Sequence, residues 1–287
     1  MQQYSAVNRK IIIVLAVLIG LFLILAAPWI VQNSLDAVLE NLMVVVENQP
    51  QFLSGIALFT LFYPFWRALC FIAGVLLLVM IPSIHREESW TIPAMLTAYA
   101  MPSIGGMFMF LPYVSWVKNS FPIPMVISWV GLLGFWSTLL LRKTDRFQKI
   151  VDWLTFTFIG MLATHSFVLG IAAARQLMTR PSAPLYEGLE WWILTMTGDI
   201  NWIATLGLIV SIPLLVQRKR TGWLMALVSA ISIFLIDAPA QLIRTSTLDY
   251  LYGSLLAAGL LAWLLIPSFK HRLIGDVGSE PADDKLG

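Results

Sequence analysis

Long apolar runs separated by short basic or polar stretches dominate the chain. Eight of them reach or approach the roughly 20 residues that a helix rising 1.5 Å per residue needs to cross about 30 Å of hydrocarbon. They cover approximately 11–31, 53–81, 93–114, 121–141, 150–172, 201–216, 223–238 and 251–266. The sixth and seventh are the weakest and span the membrane only if their ends extend a turn into the flanking loops. The runs are continuous, unlike the roughly ten-residue alternating segments of a membrane barrel. The pattern predicts an all-α, polytopic membrane helix bundle.

The polar stretches leave no room for a soluble module, so 1–267 reads as a single transmembrane domain followed by a short polar cytoplasmic tail, 268–287. In the first loop, Leu35, Val38, Leu39, Leu42, Met43 and Val46 fall on one helical stripe with Asp36, Glu40 and Glu47 elsewhere, predicting an amphipathic helix along the outer interface. Pro181, Pro184, Glu187, Glu190, Trp191 and Trp192 mark a second outer loop turning through the headgroup layer. No internal duplication is visible.

Composition supports this pattern. Apolar residues make up 59% of the 287 and charged ones 12%, with a mean hydropathy of +0.81, more apolar surface than one soluble core hides. A net charge of +2 gives no footprint for nucleic acid, and Cys70, the single cysteine, excludes a disulfide scaffold. The expected environment is the lipid bilayer, specifically the plasma membrane crossed several times.

With both termini cytoplasmic, the inner segments hold Arg9, Lys10, Arg86, Arg142, Lys143, Arg146, Lys149, Arg218, Lys219, Arg220, Lys270, Arg272 and Lys285, thirteen of the eighteen Lys and Arg. The outer ones keep Lys118, Arg175, Arg180 and Arg244. This is the bias that orients membrane proteins. The first run is longer than a signal-peptide core, with Leu25 and Pro28 around its only small-residue pair, so an uncleaved anchor is expected.

Three histidines, one of them within a span, give no haem pair, zinc motif or histidine-rich metal centre, and no phosphate-binding loop motif occurs. No cofactor or metal is expected. Candidate chemistry rests on ionisable groups at membrane depth, which are costly there. Arg67 shares a helical stripe with Tyr63, Cys70 and Gly74, predicted to face the bundle. His165 lies beside Thr164 and Ser166, with Thr157, Gly160 and Thr164 on one face. Asp237 lies toward the outer end of its span.

All three ionisable groups fall in the middle to outer half of the bilayer, where an Arg67–Asp237 pair would offset part of the desolvation cost. Asp199 and the Ser246/Asp249 pair read as helix caps, Arg175 and Arg244 as headgroup contacts. Gly253 with Ala257, and Ser254 with Ala258, read as packing spacers.

The favoured function is a permease or channel-like transporter with an outward-facing polar pocket formed by Tyr63, Arg67, His165 and Asp237. One alternative is a noncatalytic subunit of a larger membrane complex, partnered by other membrane subunits. The other is a membrane-embedded enzyme acting on a lipid-linked substrate. A central water-filled cavity would favour the first, a tightly closed bundle with a flat apolar flank the second and a lateral opening to lipid near Asp237 the third.

Overall fold

The computed structural model describes residues 4–117, 120–178 and 186–274, and no strand occurs among them. The helices are α1 (Ala6–Leu25), α2 (Ala27–Asn48), α3 (Leu53–Val79), α4 (Ile81–His85), α5 (Thr91–Trp116), α6 (Pro124–Leu140), α7 (Arg146–Leu177), α8 (Gly188–Val216), α9 (Arg220–Ile243), α10 (Asp249–Leu265) and α11 (Pro267–Ile274). A short 3-10 turn, Pro50–Phe52, joins α2 to α3. Each of the eight apolar runs is helical, giving a helical membrane bundle.

Among the described residues six helices are long and apolar enough to cross a membrane, and α10 with α11, bent by 79° at their junction, makes a seventh candidate. The remaining expected span, the fourth run at 121–141, is α6 and has only 17 residues. The short elements are therefore α6 and α10, whereas the two runs that look weakest in sequence, the sixth and seventh, become helices of 29 and 24 residues. In α8 the extension runs through polar residues: Thr195 and Thr197 donate to the carbonyls of Trp191 and Ile193 one turn back, which lets hydroxyls continue a helix. Pro267 ends α10, because the residue before a proline is pushed out of helical geometry, and Ile266 is extended with ψ of 119°.

Two close helix approaches set the bundle's shape. A Cβ on Gly74 of α3 would stand 2.8 Å from the Gly20 carbonyl of α1, and one on Gly106 of α5 would stand 2.4 Å from the backbone nitrogen of Ser128 in α6. Around these crossings α3 packs on α1, α2 and α5, while α8 lies between α7 and α9. A ring cluster of Tyr63, Trp66, Phe108 and Phe167 joins α3, α5 and α7 at centroid separations of 5.0 to 5.9 Å.

The amphipathic helix expected along the outer interface instead packs lengthwise on α3. Its apolar stripe is real, with Leu35, Val38 and Leu42 buried, but the surface it covers is protein.

Both ends of the described chain lie at the same end of the bundle. Tyr4 donates its hydroxyl to the Thr138 carbonyl (3.1 Å), Asn8 its amide to the Leu141 carbonyl (2.9 Å), and Arg9 faces Glu87 (3.7 Å). From the C-terminal side, Arg272 of α11 pairs with Asp145 at 2.7 Å, and Lys270 sits 4.4 Å from the Trp223 ring centroid. The expected polar tail thus begins as a helix docked on the bundle. Of the basic residues assigned above to the inner and outer segments, Lys285, Lys118 and Arg180 lie outside the described residues, as do Pro181 and Pro184.

Candidate functional site

A trough of about 560 Å³ runs along the seam of α6 and α7, floored by Ala100, Ser103 and Ile104 of α5. From Trp153 to His165 its α7 wall extends about 18 Å at the helical rise. Trp153 and Met161, both on this wall, are about half exposed, so the trough opens on the outer flank of the bundle rather than into a central channel.

Gly160 makes the opening possible: a Cβ built there meets nothing within 4 Å. The i, i+3, i+7 set Thr157, Gly160 and Thr164 lies along this wall with His165. The lining is mostly apolar. Its hydroxyls are turned inward, Ser103 donating to Tyr99, Thr157 to Trp153 and Thr164 to Gly160, each a carbonyl one turn back, and Ser128 to the Ser103 carbonyl.

His165 is half-buried, with Nε2 2.8 Å from the Asp249 carbonyl at the start of α10. A carbonyl only accepts, so Nε2 carries a hydrogen and donates. The imidazole therefore ties α7 to α10, and its ring stands in the trough lining.

Asp237 is completely buried where α8, α9 and α10 meet. Its Oδ1 accepts from Nδ2 of Asn201 at 2.8 Å, and its Oδ2 lies over Gly253, where a Cβ would be 2.2 Å away. Sequence reasoning missed Asn201, which stood at the boundary of its expected span. The usable signal was the i, i+4 series Thr197, Asn201 and Thr205, whose members are all buried on α8. Gly253, expected to be a packing spacer, makes room for the carboxyl.

Arg67 and Asp237 do not form the expected ion pair. α3 and α9 are not a packed pair, and each group has a different, neutral partner. Arg67 is half-buried and donates to the Gln32 side-chain carbonyl of α2; Gln32 in turn donates to Asp36 at 2.8 Å. Tyr63 is buried and donates to the Met109 carbonyl at 2.9 Å, tying α3 to α5. Of the four residues expected around one polar pocket, His165 alone lines the trough.

The expected caps also change. Asp199 is exposed in the middle of α8, because that helix starts at Gly188. No capping side-chain bond forms at Leu248, the residue preceding α10; instead Gln241 of α9 accepts from the Leu251 N–H at 2.8 Å. Its amide also donates to the Arg244 and Thr247 carbonyls, closing the α9–α10 turn. Arg244 donates to the Tyr186 hydroxyl at 3.2 Å, and Arg175 lies 5.4 Å from the Phe52 ring centroid. Among the described residues no group of three His, Cys, Asp or Glu is placed to hold a metal ion.

Comparison of the chain with protein-family models, with characterised proteins and with solved structures returns no match.

Proposed function

We propose that this protein is a permease for an amphiphilic, lipid-like molecule, which enters sideways from the bilayer and lies in the α5–α6–α7 trough with its polar end toward His165. The observation that carries the reading is the trough itself: about 560 Å³, apolar, half-open on the flank, and widened by a glycine that no neighbour crowds. Ligand sites are typically concave and mainly apolar, with few polar groups fixing orientation. Binding is favoured over catalysis because the four lining hydroxyls donate to backbone carbonyls and His165 is tied to another, so no nucleophile and base are brought together. The basic end of the bundle reads as cytoplasmic and the membrane as the plasma membrane.

The test uses full-length protein in liposomes containing a phospholipid with a photoactivatable acyl chain. Crosslinks are expected on peptides of α5, α6 and α7, reduced several-fold by Gly160→Phe, which fills the trough from a position with open space around it. A fluorescent phospholipid should cross between leaflets faster than in protein-free vesicles, and more slowly with the variant. Crosslinks indifferent to Gly160→Phe would remove the lipid site, and transbilayer movement equal to that of empty vesicles would remove the permease reading.

A second reading, a subunit of a larger complex, is favoured by the chain Arg67–Gln32–Asp36 on the side of the α2–α3 pair. Asn33 and Asp36 are exposed there, and polar side chains facing hydrocarbon are relieved by hydrogen bonding to another helix. A photo-crosslinking residue at position 33 in native membranes would capture a neighbouring protein on this reading; capture of lipid alone would oppose it.

A further inference from the structure

The carboxyl of Asp237 lies away from the trough lining, enclosed by α8, α9 and α10, and is only half satisfied. One oxygen, Oδ1, accepts from Asn201; the other, Oδ2, is buried without a partner. The orientation of the Asn201 amide follows from its contacts: Nδ2 donates both to the Thr197 carbonyl (2.9 Å) and to Asp237, so its oxygen points elsewhere, and that atom too is buried and unpartnered. On α10 the hydroxyls of Tyr250 and Ser254, on either side of the Gly253 contact, are likewise buried without partners.

No ion pair reaches Asp237 among the described residues. Arg244, just past the end of α9, donates to Tyr186, and His165 of α7 is engaged by the Asp249 carbonyl of α10. From α7 the wall near Gly253 is Leu169; α8 contributes the neutral Asn201, and α10 contributes Tyr250 and a glycine backbone. A fully enclosed carboxylate with one neutral donor is among the most unfavourable arrangements a bundle can hold.

We propose that Asp237 is a proton-binding site, carried as a neutral carboxylic acid in this closed bundle and losing its proton to water only when the α9–α10 contact opens. Proton uptake converts a bare carboxylate oxygen into an O–H donor among buried acceptors, with no other bond made or broken. α9 has a place to bend nearby: Pro239 cannot donate to the Leu235 carbonyl, so the backbone ladder is interrupted two residues beyond Asp237. The site stands independently of the trough, on its own atoms.

Infrared spectroscopy of the full-length protein in liposomes, with ¹³C-labelled aspartate, tests this directly. At neutral pH a protonated-carboxyl stretch sensitive to the label is expected, lost in Asp237→Asn and retained in Asp152→Asn, which removes the α7 carboxyl that accepts from the Gln148 side chain. Asn201→Leu, which removes the donor to Oδ1 and leaves the carboxyl in place, should shift the band's frequency and so assigns it even if Asp237→Asn does not fold. Absence of a label-sensitive band, its persistence in Asp237→Asn, or an unmoved band in Asn201→Leu would overturn the proposal. Bleaching of the band when sodium replaces choline would overturn it in favour of an alkali-cation site.

Discussion

Asp145 joins two parts of the chain at the start of α7. One oxygen caps the helix by accepting the Gln148 N–H at 2.9 Å, and the other accepts from Arg272 of α11 at 2.7 Å. The Gln148 N–H above all, and then the Arg272 guanidinium, hold this carboxyl below the usual carboxylate range against an opposing desolvation. A depressed value in the folded state means stabilisation that is full above the ordinary aspartate value of about 3.9 and fades as pH falls through the folded one. Asp145→Ala should therefore lower the thermal midpoint of the purified protein at pH 7, and its deficit relative to wild type should narrow below about pH 4. Arg272→Ala, which spares the cap, should cost less. A deficit that widens in acid would contradict the assignment.

Single residues were also where sequence reading was weakest. Arg67, His165 and Asp237 stand out in any apolar sequence, yet their partners are a glutamine, a backbone carbonyl and an asparagine. Neutral partners leave no charge pattern to search for. The Arg67–Asp237 attraction was a reasonable guess from depth alone, but depth along a helix does not say which helices are neighbours.

At the scale of elements the apolar runs were legible because their length is imposed by an external dimension, the bilayer. What they face was not. The Leu35, Val38 and Leu42 stripe fits an interface as well as a neighbouring helix, and only packing on α3 decides. The glycines make this distinction experimentally accessible. Gly160 faces open space, so Gly160→Ala should stabilise α7 by about 1 kcal/mol, the usual helix-interior advantage of alanine. Gly106→Ala would place a methyl 2.4 Å from the Ser128 backbone nitrogen and should cost on the order of 1–3 kcal/mol as α5 and α6 separate. Thermal unfolding of both variants in the same detergent checks the pair; equal effects would mean that the two surfaces are not open and closed as described.

For the whole molecule, the distribution of charge makes a claim that can be checked without a substrate. Loops 86–90, 141–145 and 217–219 share one end with both ends of the described chain, and this end, with the adjoining helix termini, holds most of the described Lys and Arg, whereas Arg175 and Arg244 lie at the other end. If that basic end is cytoplasmic, a cysteine replacing exposed Ser246 should react with a membrane-impermeant maleimide added to intact cells. A cysteine replacing exposed Ser89 should react only after permeabilisation. The background is silent because the one native thiol, Cys70, is completely buried between helices. The same measurement bears on the span count, since α6 and α10 are marginal in length and each must cross if the loops are to alternate as the charges require. A cysteine at exposed Phe121, on the far side of α6 from the basic loops, should behave as Ser246→Cys does. Labelling of Phe121→Cys and Ser246→Cys from opposite sides of the membrane would mean that α6 does not cross and that the charge bias is divided between two faces.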